Sequence, residues 1–137
     1  MYAHAWRDSG ARALPYRDAT SQLRGLQPAR EADRLLLDER ELAYYVRFAD
    51  PGHVVHLPSI DFTREEAVLV STGPRSSTGY SIRIVSVVEE RGRVVLTLRE
   101  RTPTLAHPVR ATATYPYRLL VFRKIDKPVY IVWQGRP

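Results

Sequence analysis

The side chains most suited to metal binding or general-base chemistry are four histidines, His4, His53, His56 and His107. His53 and His56 are three residues apart, with Asp61 downstream. On extended backbone, residues i and i+3 point to opposite faces, so one ion could be gripped only if the chain turned there. No third ligand is evident, and ordinary surface or half-buried histidines are the expectation. The absence of cysteine removes thiol nucleophiles, disulfides and thiolate metal sites.

Ser71, Ser76 and Ser77 lie near Gly73 and Gly79. They do not have the G-x-S-x-G spacing of a nucleophile elbow. A triad is spatial, so sequence order does not exclude one. Serines in a glycine-bearing loop are nevertheless expected to form turns. The same stretch, GPRSSTG, has no lysine and leads into a strand, whereas a phosphate-binding loop carries G-x-x-x-x-G-K-[ST] and opens a helix. A backbone nest assisted by Arg75 is the residual route to anion binding. Glu65-Glu66 and Glu89-Glu90 are adjacent pairs. On strands they face opposite ways and make no acid/base couple. The chain therefore reads as a non-enzyme, with no catalytic residue, metal or cofactor expected.

The formal net charge is +6, and only Lys124 and Lys127 among the basic residues are lysines. Basicity favours anionic partners. The arginines run from Arg7 to Arg136, interleaved with acids and without a block of like charge. A solvated surface is the plain reading. Nucleic-acid binding by an Arg/Tyr face, with Arg83, Arg99 and Arg101 on the outside of a hairpin and tyrosines as stacking surfaces, is the alternative. MYAHAWRDSGAR has no apolar core of a signal peptide, and the longest apolar runs, such as RLLVF at 118–122, are too short to span a membrane. A cytoplasmic location is expected by default, or export if a leader has been removed.

Any functional residues must be positioned by a mainly β (α+β) domain. Residues 1–31 are poorly patterned, with Pro15, Gly25 and Pro28 as breakers. They read as an N-terminal arm or linker, partly disordered, ahead of a β domain over 32–137. A short strand at 34–37 precedes Asp38, a good N-cap with Glu41 as the capping-box acid. Leu42, Tyr45, Val46 and Ala49 recur at helical spacing until Pro51-Gly52, predicting one helix over about 39–49. Strands rich in Val, Ile, Tyr and Thr follow at 66–71, 79–88, 93–101, 118–124 and 129–133, with a short extended piece at 111–115. The expected architecture is an antiparallel sheet arranged as a sandwich or a partly open barrel.

The best hairpin is SIRIVSVVEERGRVVLTLRER. A three-residue loop, Glu90-Arg91-Gly92, would put Gly92 in the left-handed region. It would pair Ile84 with Leu98, Ser86 with Leu96 and Val88 with Val94, at the cost of Arg83 opposite Arg99. A two-residue loop would instead pair Arg83 with Glu100. A bulge near Ile84–Val85 would reconcile the two.

The order Asp61-Phe62, Gly73, Thr78-Gly79-Tyr80-Ser81-Ile82, hairpin, Pro103 and Pro116-Tyr117 resembles the C-terminal domain of the PrcB-type protease-complex subunit family over residues 34–133. That family often has Pro-Thr-Gly-Gly before the tyrosine, where this chain has Ser77-Thr78-Gly79. The resemblance implies a small, non-catalytic accessory domain, in the founding case part of a bacterial surface protease complex. Thr78-Gly79-Tyr80 is also similar to the T-T-G-Y loop of chagasin-like cysteine protease inhibitors. Together these imply a protein partner, a protease by class, engaged through Gly73, Arg75, Ser76, Ser77, Thr78, Gly79 and Tyr80. A chagasin-like inhibitor using the same loop is the second possibility.

Overall fold

The computed structural model describes residues 10–53 and 55–136. Among these, eight strands form two four-stranded sheets that pack face to face. In chain order the elements are β1 (Arg12–Ala13), β2 (Tyr16–Asp18), a 3-10 turn (Thr20–Gln22), β3 (Glu31–Leu36), α1 (Glu39–Ala49), β4 (Glu65–Thr72), β5 (Ser81–Glu89), β6 (Val94–Arg101), β7 (Tyr117–Arg123) and β8 (Val129–Gln134). One sheet has the order β1-β5-β6-β8 and the other β2-β7-β4-β3. The described residues close no barrel, so the sandwich is the form adopted.

The second sheet is covered on both sides, which is why β4 and β7 read as near-continuous apolar runs. Val68, Val70, Leu120 and Phe122 face the first sheet and meet Ile82, Val87, Leu96 and Leu98. Ala67, Leu69, Leu119 and Val121 face the other way, onto Leu42 and Val46 of α1. Full burial of each such Leu or Val contributes roughly 1.5–3 kcal/mol. The helix starts as its sequence specifies: Asp38 Oδ1 accepts from Glu41 N at 2.8 Å. Glu41 Oε1 reaches back to the N–H of Leu37, one residue beyond the cap, at 2.8 Å.

Residues 10–31 are not an arm. β1 pairs with β5 in one sheet and β2 with β7 in the other, so the chain crosses between the sheets around Pro15. Leu14, Ala19, Leu23 and Leu26 are buried, and Tyr117 Oη donates to the carbonyl of Leu23. Gln27 N donates to Asp50 Oδ2 at 2.9 Å and Ala29 N to Ala49 O at 2.8 Å, fastening the segment to the end of α1. Residues 1–9 of the expected arm lie outside the described residues.

The hairpin uses both registers. From Ser81 to Ile84 the pairing is that of the longer loop, with Arg83 opposite Arg99 and Ile84 opposite Leu98. After a bulge at Val85 it shifts: Ser86 meets Thr97, Val87 meets Leu96 and Val88 meets Val95. Glu90 N donates to Arg93 O at 2.8 Å, leaving Arg91-Gly92 as a two-residue tip. Gly92 is not among the glycines with positive φ, so the expected left-handed glycine is absent there. The bulge keeps Ile82, Ile84 and Val87 facing the core while relieving the turn. β8 runs parallel to β6, because β7, in the opposite sheet, returns the chain between them.

Candidate functional site

The loop from Gly73 to Tyr80 leaves β4 at one end of the sandwich, and its first residues are built into the wall. Gly73 is buried with φ +78, and a Cβ there would lie 3.4 Å from Arg30 C and Glu31 N. Ser71 Oγ donates to Arg30 O at 3.1 Å and accepts from Gly73 N at 3.0 Å. Arg75 Nε donates to Glu100 Oε2 at 2.6 Å and its Nη2 to Glu100 Oε1 at 3.0 Å, while Nη1 reaches Thr72 O at 3.2 Å. Arg136, just beyond β8, joins Glu100 at 3.4 Å. Hydrogen bonding from Arg75 holds the Glu100 carboxyl below its usual range and pushes the Arg75 guanidinium further up. Arg75 is thus an internal brace and presents no spare guanidinium fork to a partner.

The second half of the loop is laced to the segment between β6 and β7. Arg75 and Thr114 exchange backbone hydrogen bonds at 2.8 and 2.9 Å, the one bridge formed by the extended piece expected at 111–115. Thr114 Oγ1 donates to Ser77 O at 2.8 Å. Thr78 N donates to Arg110 O at 3.0 Å, and Thr78 Oγ1 accepts from Arg110 N at 2.8 Å. Gly79 has φ +102, and a Cβ would meet Val109 Cγ1 at 2.7 Å and Pro103 Cγ at 3.1 Å. Tyr80 is half-buried, with the Arg75 guanidinium 5.8 Å from its ring centroid. Each residue of the Thr-Gly-Tyr string therefore has an intramolecular task.

The outcome is a two-loop tip. Pro74, Ser76 and Gly79 are exposed on one loop, and Leu105, His107, Val109 and Arg110 on the other. Leu105 is fully exposed. Between the loops lies a pocket of about 290 Å³ bordered by Gly79, Ser81, Arg101, Pro103 and Val109. Sequence reasoning singled out only the first loop. The signal for its partner was present: a long stretch without strand pattern, carrying Pro103 and Pro108, between β6 and β7. Loops of that length in a compact domain are uncommon and often functional.

Residues 67–123 match the family model described as PrcB C-terminal. This is the PrcB resemblance drawn from the sequence, shown for the stretch from β4 to β7 that contains both loops of the tip. The family points to a domain associated with a protease complex. Comparisons with curated proteins and with solved structures return no match.

The remaining sequence candidates are dispersed. His53 Nδ1 sits 2.6 Å from Asp50 Oδ1 at the end of α1, a pairing that serves the helix terminus. Thr104 Oγ1 and His107 Nδ1 lie 3.2 Å apart within one exposed turn. Among the described residues no group of three His, Asp or Glu side chains could share a metal ion. Among them, too, no helix is long and apolar enough to cross a membrane.

Proposed function

We propose that this chain is a non-catalytic accessory module that captures a protein partner, a protease by class, with its two-loop tip. The observation that carries the reading is the lacing of Thr78 to Arg110 and of Arg75 to Thr114, which fixes an exposed apolar surface at Leu105 and Val109. A loop held this way loses little conformational entropy on binding, and a leucine left wholly in water gains by being covered. The PrcB C-terminal match supports the partner class.

The test is capture from the source cell by the wild-type chain and by Leu105→Asp/Val109→Asp, with partners identified by mass spectrometry. A protease or protease-associated protein recovered only by the wild type supports the reading. Unchanged capture by a folded double variant, or recovery of no such partner, sinks it. Adding the chain to the recovered protease separates accessory from inhibitor: unaltered cleavage marks an accessory, and suppressed cleavage a chagasin-like inhibitor.

A further inference from the structure

Three guanidinium groups stand together on the outer face of the β1-β5-β6-β8 sheet. Arg83 is directly opposite Arg99, and Arg101 follows two residues along β6 on the same side. All three are exposed. Facing side chains on an antiparallel pair have Cβ atoms about 4.5–5.5 Å apart, and like charges there repel. Several other arginines are matched: Arg12 and Arg123 with Glu89, Arg17 with Glu65, Arg118 with Asp18. Glu100, between Arg99 and Arg101 in sequence, points inward to Arg75. Among the described residues no carboxylate pairs with Arg83, Arg99 or Arg101. The rest of the face is largely aliphatic. Rows of Val88, Val95 and Tyr130 and of Ser86, Thr97 and Val132 cross the sheet, with Val85 exposed at the bulge.

We propose that this face docks an extended polypeptide segment whose sheet-facing side carries carboxylates along one half and aliphatic side chains along the other. Charge complementarity selects it: acids answer the arginine row, and apolar groups cover the valines. A second copy of this chain would set one arginine row against another in a molecule of net charge +6. A nucleic acid needs cations tracking a backbone and aromatic platforms for its bases. Here the three arginines occupy one end of the face. Its aromatic residue, Tyr130, already has the Arg93 guanidinium 5.7 Å from its ring centroid. The proposal does not rest on the two-loop tip, because its residues belong to strands.

The probe is a fluorescent peptide of the pattern Glu-Ser three times followed by Val-Ser three times, about a dozen residues long, titrated with the full chain at about 0.15 M salt and read by anisotropy. Saturable binding is expected, weakened about tenfold or more by Arg83→Gln/Arg99→Gln/Arg101→Gln. Arg24→Gln/Arg40→Gln/Arg47→Gln removes the same charge from other surfaces and should weaken it less than about twofold. Circular dichroism confirms that both variants fold. Relief of the Arg83–Arg99 repulsion makes loss of folding unexpected in the first. The proposal is overturned if the peptide does not bind, if the two variants lose binding equally, if a Glu/Ser peptide of equal charge binds as well, or if a single-stranded oligonucleotide of equal charge binds more tightly.

Discussion

Arg75 and Glu100 are joined at two points, Nε to Oε2 at 2.6 Å and Nη2 to Oε1 at 3.0 Å, across the mouth of the sandwich. The pair ties the loop after β4 to the end of β6, one strand from each sheet. A planar guanidinium matches a carboxylate in this way, and a single ammonium cannot.

Glu100→Gln should therefore destabilise the domain by about 2–3 kcal/mol at neutral pH, because Arg75 and Arg136 are left part-buried beside a neutral amide. The Glu100 pKa is lowered in the fold. Its stabilisation is complete above the ordinary glutamate range and is lost as pH falls through the lowered folded value. Denaturant midpoints of wild type and variant should converge in acid. A gap that persists undiminished at about pH 2.5 would locate the effect elsewhere.

Gly79→Ala combines a left-handed backbone with a Cβ 2.7 Å from Val109 Cγ1. A loss of about 1–3 kcal/mol is expected. Adding Val109→Ala should recover part of it, since only the steric share is relieved. A double-mutant cycle with no coupling would contradict the packing described for the two loops.

Thr78→Val removes the acceptor for the amide of Arg110 while keeping the shape of the side chain. Loss of about 1 kcal/mol is expected, together with faster hydrogen exchange at Arg110 and along residues 102–114. Thr78→Ser retains the hydroxyl and should retain the protection. Equal exchange in the two variants would remove the lacing as the device that orders the tip.

Much of this architecture was legible. Asp38 and Glu41 announced α1, and the β-branched runs announced β4 to β8, because cap chemistry and periodicity are local signals. β1 and β2 were not, since two and three residues cannot show a period. Their burial becomes visible only when β5 and β7 are placed beside them. The hairpin was ambiguous for a physical reason, as each register satisfies half of it, and the bulge at Val85 resolves the conflict. At the site, Gly73 and Gly79 marked a turn-forming loop. The engagement of Arg75 was not, because Glu100 lies on a strand of the other sheet.

Glu66 is almost fully buried on β4 and accepts from Ile125 N at 3.2 Å. Burial pushes its carboxyl above the usual range. A raised folded pKa favours the fold below the ordinary value, and that advantage is lost as pH rises through the folded value. Glu66→Gln keeps an acceptor for Ile125 and sheds the charge. It should raise the melting temperature at pH 7 by a few degrees and give no gain near about pH 3.5. A drop at pH 7 would show that the ionised carboxylate is supported, with Lys124 as the source.

The crossing of the chain at Pro15, from β1 on one sheet to β2 on the other, makes the folded unit larger than the stretch that matches the family model. The stretch matching the PrcB C-terminal family spans β4 to β7. By itself it would leave the Leu69, Leu119 and Val121 surface bare of α1 and the hairpin without β1 and β8. The matching stretch is part of the sandwich, and the segments before and after it complete both sheets. Grafting the two-loop tip into another protein therefore requires carrying residues from both ends of the chain along with it.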